Sequence, residues 1–251
     1  RPTVVFQGPD TVAIWDDFFN ATDTGSGTDL ISKYRTGPWI KGFSDTGQTV
    51  PATGVVGTAA AGATNGIYRM TSSATSTQDP VAGAQSLNTP PSWKANQGRL
   101  RMSARLKIAA LAGENVFVGF TDTGGNELAV YDTGGGILTP AADYAGFICS
   151  GESGGTQAWR AVTGKAGTDQ VATTGVTPVA NTYNTLELEI SQDGAKADFW
   201  IDGILKASIT SAAITATVGL GAGVWRANTD AAANAIDIDW MNISAARDTG
   251  T

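Results

Sequence analysis

The chain has 251 residues, of which 16% are charged and 32 are glycine, and it carries a formal net charge of −7 without a single histidine. The acidity, with a pI near 4.5, argues against a nucleic-acid partner, because phosphate recognition needs a concentrated excess of lysine and arginine. The missing histidine excludes Ser-His-Asp and Cys-His nucleophiles, HExxH zinc sites and histidine-ligated copper.

Apolar segments are short, and cysteine occurs once. No run approaches the roughly 20 apolar residues of a membrane-spanning helix, so we expect no membrane partner. The first stretch, RPTVVFQGPDTVAIW, has one cation and no sustained apolar segment, so we expect no secretory signal. Cys149 has no second cysteine to pair with, which fits assembly in a reducing cytoplasm.

Residues 1–15 are expected to form an extended arm outside the fold. We predict that Val4, Val5 and Phe6 contact a partner there, by adding a strand to another chain's sheet. A single β-sandwich domain is expected over residues 16–247, and a short tail over 248–251.

The tripeptide Asp-Thr-Gly, the signature of aspartic peptidases, occurs five times. Its copies begin at Asp23, Asp45, Asp122, Asp132 and Asp248. Five copies are too many for one active site. Aspartate opening a turn and glycine supplying a positive φ explain all five, so we interpret them as turns. The GESGG segment at 151–155 matches a nucleophile elbow in letters only, because Ser153 has no histidine to accept its proton.

The segment RLRMSARLKI alternates apolar and polar residues, which predicts a half-buried strand with one cationic face. The cations are Arg99, Arg101, Arg105 and Lys107. We predict that this face either pairs with carboxylates or contacts a partner protein.

Further along, TLELEISQDGAKADFWIDGILKASI predicts a three-stranded antiparallel meander over residues 185–209. Asp193-Gly194 and Asp202-Gly203 separate the alternating runs, and Asp-Gly favours tight type I′ turns. Other short strand patterns follow, and no long segment has a helical period. The pattern predicts an all-β fold made of two antiparallel sheets, a sandwich or jelly roll.

The meander resembles a segment of concanavalin A-like and laminin G-like jelly rolls, and the closing AIDIDWMNISA resembles the last strand of that fold. With GRLRMSARLKIAALAGENVFVGFTD upstream, the resemblance covers roughly residues 16–247. The layout is similar to virion proteins of tailed bacteriophages. The resemblance implies a last strand beside the cationic strand, with Asp237 and Asp239 facing Arg101 and Arg105.

We therefore expect a virion structural protein, most of all a capsid decoration or cement protein that binds the major capsid protein or another virion protein. It would assemble in the host cytoplasm as a homo-oligomer, and a homotrimer would match three-fold lattice positions. We predict no catalytic residue, no metal and no cofactor, so no enzymatic activity.

Two alternatives stay open. The first is a lectin-like glycan- or receptor-binding module of a phage tail or fibre. Its candidate glycan contacts are Trp39, Trp93, Trp159 and Trp225, whereas Trp240 is expected in the core with Ile236 and Ile238. The second is a glycoside hydrolase. Glu187 and Glu189, or Asp237 and Asp239, would lie about 6.5 to 7 Å apart on one strand face, near the shortest inverting separation. No glutamate fits the Glu-x-Asp-x-x-Glu strand of the glucanases that this chain resembles.

Overall fold

A computed structural model describes thirteen segments of the chain. These are residues 4–8, 11–16, 35–36, 39–43, 56–59, 67–71, 82–86, 93–123, 130–132, 136–139, 141–151, 157–228 and 234–246.

Two antiparallel sheets form the fold, as the alternating patterns predicted. Sheet A contains β1 (Val4–Gly8), β2 (Thr11–Asp16), β5 (Val56–Ala59), β6 (Tyr68–Thr71), β8 (Leu100–Ile108), β15 (Asn184–Ile190), β16 (Ala197–Ile201), β17 (Ile204–Ile209) and β19 (Ala235–Ala246). Sheet B contains β3 (Arg35–Thr36), β4 (Trp39–Phe43), β7 (Ala82–Ser86), β9 (Glu114–Thr121), β12 (Tyr144–Ser150), β13 (Trp159–Lys165), β14 (Thr168–Val176) and β18 (Gly221–Asn228).

The strand order shows which strands lie in the middle of each sheet and which lie at its edges. Sheet A runs β1-β2-β19-β8-β15-β16-β17, with β6 also paired to β19 and β5 to β6. Sheet B runs β14-β13-β12-β9-β18-β7-β4-β3. Strands β10 (Tyr131–Asp132) and β11 (Ile137–Leu138) form a separate two-stranded sheet. A 3-10 helix spans Ala95–Gln97. Within the described ranges, no helix has the length and apolar character that a membrane span requires.

The amino-terminal residues form two strands of sheet A instead of the expected arm outside the fold. Strand β1 pairs with β2, and β2 pairs with β19, so both belong to sheet A. Val4, Val5 and Phe6 lie on β1, and their side chains fall outside the described part of the structure. A strand that pairs within its own chain has at most one edge left for a partner.

The main core lies between the sheets. Strand β8 alternates as predicted, with Leu100, Met102, Ala104, Leu106 and Ile108 buried and the residues between them more exposed. The side chains of Phe147 and Phe199 meet edge-on across the core, 5.3 Å between ring centroids. Edge-on aromatic pairs stabilise beyond the apolar area that they bury.

The predicted meander is present as β15, β16 and β17. Asp202 and Gly203 have φ values of 52° and 76°, as a type I′ turn requires. The first connection is longer than predicted, because residues 191–196 separate β15 from β16. Within it, Asp193 accepts hydrogen bonds from the Ser191 hydroxyl at 2.6 Å and from the Ala195 amide at 3.0 Å.

A β-bulge in β19 overturns the prediction that Trp240 packs in the core. The pairing with β8 shifts between Ile238 and Trp240, so Trp240 lies opposite Arg105 and is half-buried. One extra residue in a strand reverses the facing of those after it. Met241 therefore takes the core position instead, with no exposed surface.

A buried ion pair joins the adjacent strands β9 and β18 at one end of the core. Arg226 donates to Glu114 through Nε at 2.7 Å and through Nη2 at 2.5 Å, and both side chains are 1% exposed. The Arg226 Nη1 group also donates to the Asn234 carbonyl at 3.0 Å. Burial, and then the Glu114 charge, raise the pKa of the nearby Cys149 thiol to about 12.

Candidate functional site

The outer face of sheet A carries a row of polar side chains on four adjacent strands. Asn242 of β19 lies opposite Ser103 of β8, Ser103 lies opposite Glu187 of β15, and Glu187 lies opposite Trp200 of β16. Strand alternation puts these residues outside, because their neighbours along each strand face the core. Four strands about 4.8 Å apart make the row about 14 Å long.

This row forms the floor of a groove of about 470 Å³, which we call the Trp200 groove. Its lining is Arg101, Met102, Ser103, Glu187, Leu188, Glu189, Trp200, Gly203, Asn242 and Ser244. A second depression of about 790 Å³ adjoins it and shares Glu189. The remaining lining of this depression is Asn96, Arg99, Ser191, Gln192, Asp193, Lys196 and Asp198.

Several polar groups of the Trp200 groove are free to bind a ligand. Within the described part of the chain, the side chains of Glu187, Trp200, Asn242 and Ser103 make no hydrogen bond or ion pair. The half-buried indole of Trp200 presents an aromatic surface next to them. Aromatic rings beside a few convergent polar groups are typical of small-ligand sites.

The other charged groups near the groove are held by partners. Glu189 forms ion pairs with Arg101 and, at 3.3 Å, with Arg99. Lys196 lies 2.7 Å from Asp198. The hydrogen bond from the Ser191 hydroxyl, and then that from the Ala195 amide, lower the pKa of Asp193. Among the described lining residues of the Trp200 groove, Glu187 is therefore the carboxylate without a partner.

The cationic face of β8 continues into an ion-pair cluster at the far end of the strand. Asp237 accepts two hydrogen bonds from Arg69, at 2.5 and 2.7 Å, and lies 3.2 Å from Lys107. Arg105 pairs with Asp239, as the resemblance implied, whereas Arg101 pairs with Glu189 instead of an aspartate. Register explains this, since Glu189 lies directly opposite Arg101.

Tyr183 lies beside this cluster. Arg105 is 4.5 Å and Lys107 is 5.2 Å from the centre of its ring, so the ring contacts two cations. Burial, and then the charges of Asp237 and Asp239, raise the pKa of the Tyr183 hydroxyl. All four cations predicted for a partner surface, Arg99, Arg101, Arg105 and Lys107, form ion pairs within the chain. Their role in an interface stays a prediction.

Three of the four tryptophans predicted to contact a glycan are buried. Trp93 and Trp159 belong to the main core, and Trp225 is 1% exposed on the outer side of sheet B. Trp39 lies on β4, and its side chain is outside the described residues. Proximity to a loop pattern was a weak indicator of exposure, because Trp159 and Trp225 lie within strands β13 and β18. Trp200 had a better signal, since Phe199 and Ile201 occupy the apolar positions around it.

The outer face of sheet B is covered by its own chain. Phe117, Tyr144 and Trp225 are buried there together with Val130 and Ala141, which precede β12. The rings lie close to the sheet. A Cβ at Gly146 would be 2.4 Å from the Phe117 ring, and one at Gly164 would be 2.1 Å from the Tyr144 ring. Only glycine leaves room for rings this close to the neighbouring strands.

Asp122, which opens one Asp-Thr-Gly motif, holds the segment that precedes β12. Its carboxylate accepts hydrogen bonds from the amides of Ala142 and Asp143 and from the Thr123 hydroxyl, at 3.1 to 3.3 Å. The side chain of Asp132 and the copies at Asp23, Asp45 and Asp248 lie outside the described residues, as does Ser153. Among the described side chains, no three potential ligands converge to hold a metal ion.

Comparison with known proteins identifies the fold but no family. No family model matches the sequence, and no curated protein matches it. Among solved structures, the endo-1,3-β-glucanase from Streptomyces sioyaensis is similar, with a TM-score of 0.56, 13% identity, and coverage of 98% of this chain and 100% of that one. The β-glucanase of Bacillus licheniformis gives 0.52 and 15%, covering 87% and 97%. The carbohydrate recognition domain of Emp47p gives 0.53 and 8%, covering 87% and 93%. These values show a shared concanavalin A-like jelly-roll fold.

The prediction that the chain is not an enzyme is overturned by this comparison. Several structures with the fold are glycoside hydrolases, including both glucanases named above. Glycoside hydrolysis uses a pair of carboxylates and needs no histidine. The absence of histidine therefore does not exclude this reaction. Nothing in the comparisons links the chain to phage virion proteins. The virion location, the capsid partner and the oligomer stay predictions.

Proposed function

We propose that the chain is a carbohydrate-binding protein whose ligand lies in the Trp200 groove. The observation that carries the proposal is the half-buried Trp200 ring on a polar sheet face, beside side chains that have no partner in the described structure. A carbohydrate recognition domain and glucanases share the fold, which supports a glycan as the ligand class.

The chemistry of the groove suits a sugar. The aromatic face of Trp200 offers apolar contact to the C–H face of a pyranose ring. Glu187 accepts hydrogen bonds, Asn242 both donates and accepts, and Ser103 does either, so sugar hydroxyls find partners of both kinds. The row of four strands is long enough for a short oligosaccharide.

Binding of immobilised oligosaccharides, followed by calorimetric titration of the best ligand, tests the proposal. Replacing Trp200 with alanine should weaken binding about tenfold or more, the loss expected when one central aromatic contact is removed. Trp240→Ala is a matched control, because Trp240 is also half-buried on sheet A but does not line the groove.

Trp240→Ala should change the affinity less than about twofold. Near-ultraviolet circular dichroism checks that both variants keep the native fold. Equal losses in the two variants, or an unchanged affinity in Trp200→Ala, would refute the location of the site. A chain that binds no oligosaccharide at all would refute the proposed function.

A second candidate is glycoside hydrolysis in the same groove. Glu187 and Glu189 occupy alternate positions of β15 and both line the groove, so their backbone positions are about 6.6 Å apart. In inverting enzymes the two carboxyl groups are about 6.5 to 9.5 Å apart, which side chains at alternate positions of one strand can reach. Glu189, held by Arg99 and Arg101, would activate water, and Glu187 would protonate the leaving oxygen.

Release of reducing sugar from the best-binding glycan tests this candidate. Glu187→Gln should abolish the release while leaving the groove's shape unchanged. Activity that persists in Glu187→Gln would exclude the assigned acid. Binding without any release would leave carbohydrate binding as the function of the groove.

A further inference from the structure

The charges around the Trp200 groove favour one class of glycan. The groove and the adjoining depression are lined by the cations Arg99, Arg101 and Lys196 and by the carboxylates Glu187, Glu189, Asp193 and Asp198. Among the described lining residues, three cations against four carboxylates leave a net charge of −1. An acidic glycan would therefore enter a surface of its own sign.

Each of the three lining cations already has a carboxylate partner. Arg99 and Arg101 are paired with Glu189, and Lys196 with Asp198. The carboxylate of Glu187 has no partner within the described residues. An ion pair with a ligand at Glu187 would not have to displace an existing one, whereas an anionic ligand would have to compete for each cation.

A second aromatic ring on the same sheet face, that of Tyr183, shows which kind of charged group binds next to a ring and a carboxylate here. At Tyr183, an aromatic ring, two cations and the carboxylate of Asp237 lie together, and the protein supplies the cations through Arg105 and Lys107. At Trp200, the ring and the Glu187 carboxylate are cross-strand neighbours, about 5 Å apart at their Cβ atoms. No protein cation contacts the Trp200 ring in the described structure.

We infer that the Trp200 groove recognises a glycan with a free primary ammonium group, such as an amino sugar that is not acetylated. The ammonium lies against the Trp200 ring and forms an ion pair with Glu187, while Ser103 and Asn242 bind neighbouring hydroxyls. Cation–π attraction and a charge-assisted hydrogen bond then act on the same group. This inference rests on the proposed function and specifies the ligand class of that site.

Two oligosaccharides of equal length and linkage test the inference, a glucosamine oligomer and its fully N-acetylated counterpart. The calorimetric titrations are run at about pH 5, where most amino groups of the glucosamine oligomer are protonated. The free-amine oligomer should bind about tenfold more tightly at low salt. The preference should shrink as salt is added, because Trp200 and Glu187 are partly open to solvent.

Glu187→Gln should remove the preference for the free-amine oligomer, because the glutamine amide has no charge to pair with the ammonium. Asp193→Asn is the matched control, because Asp193 lies in the adjoining depression and should leave the preference unchanged. Equal binding of the two oligomers by the native chain would overturn the inference and leave carbohydrate binding intact. A preference that survives Glu187→Gln would overturn it as well, and failure of every glycan to bind would refute the proposed function itself.

Discussion

The outer faces of the two sheets differ in how far the chain itself buries their aromatic side chains. On sheet B, Phe117, Tyr144 and Trp225 are buried under residues that precede β12, so aromatic side chains there form a second small core. On sheet A, Trp200 and Glu187 remain accessible and without partners in the described structure. Aromatic residues alone therefore do not locate a binding site; a site needs an aromatic residue that the chain itself leaves uncovered.

The ion pairs show the same contrast. Arg226 and Glu114 are fully enclosed, each 1% exposed, whereas Arg101 is 62% exposed where it meets Glu189. Removing one partner of an enclosed pair leaves a charge in a medium of low dielectric constant, but an exposed charge is solvated again. The enclosed pair and the exposed pair should therefore respond very differently to mutation.

The largest effect is expected at the enclosed pair. Arg226→Met leaves the Glu114 carboxylate buried without its guanidinium, and should lower the free energy of unfolding by about 3 to 5 kcal/mol. Urea denaturation followed by fluorescence measures the change. The double variant Glu114→Gln with Arg226→Met should recover part of the loss.

Arg101→Ser is the exposed counterpart of that variant. It should lower the free energy of unfolding by less than about 1 kcal/mol, because the Glu189 carboxylate left behind keeps its ion pair with Arg99. Similar losses in Arg226→Met and Arg101→Ser would contradict the contrast between the enclosed and the exposed pair.

A large effect is also expected on the covered face. Phe117→Ala removes a ring with no exposed surface that lies 5.4 Å from the Trp225 ring, and should cost about 3 to 4 kcal/mol. Leu205→Ala is the control on sheet A, since Leu205 is 52% exposed opposite Trp200. It should cost no more than about 0.5 kcal/mol. Comparable costs at the two positions would mean that the face of sheet B is less well covered than the structure shows.

Another effect is expected at alkaline pH. Burial, and then the 2.6 Å hydrogen bond that its hydroxyl donates to Asp169, raise the pKa of Tyr144 above the ordinary tyrosine value. Below about pH 10 the contribution of Tyr144 to stability is complete. Above it the unfolded chain loses the proton first, so stability falls by at most about 1.4 kcal/mol per pH unit.

Urea midpoints measured at about pH 9 and about pH 11 follow this loss. Tyr144→Phe should show a shallower decline between the two values than the native chain does, because phenylalanine has no proton to lose. An identical decline in both proteins would show that Tyr144 does not carry the effect.

Regular alternation was enough to predict much of sheet A. The facing of β8 and the meander of β15 to β17 followed from period-2 patterns and from Asp202-Gly203. Prediction failed where a single residue changed the pattern, as at the bulge before Trp240. It also failed for β1 and β2, although Gly8-Pro9-Asp10 between two apolar runs is a turn signal.

The burial of sheet B and the full composition of the Trp200 groove could not be predicted without the three-dimensional structure. Strands β9 and β12 are buried along their whole length, so their sequences lack the alternation that tells inner from outer side chains. Residues 221–226 of β18 are buried as well, so the sequence around Trp225 did not show that its indole is covered and cannot contact a glycan. The neighbourhood of Glu187 with Trp200 follows from the meander register, and the resemblance correctly implied that β19 lies next to β8. The bulge before Trp240, which the sequence did not reveal, decides that Asn242 lies opposite Ser103.

The most direct test of the account is to map the glycan on the protein by NMR, using backbone amide and tryptophan indole signals during titration. We predict shifts at the Trp200 indole and at the amides of Ser103, Glu187 and Asn242, with the Trp225 indole unchanged. Shifts centred on Trp225 and Phe117, with the Trp200 signal unmoved, would contradict the account, because the ligand would then bind the face of sheet B.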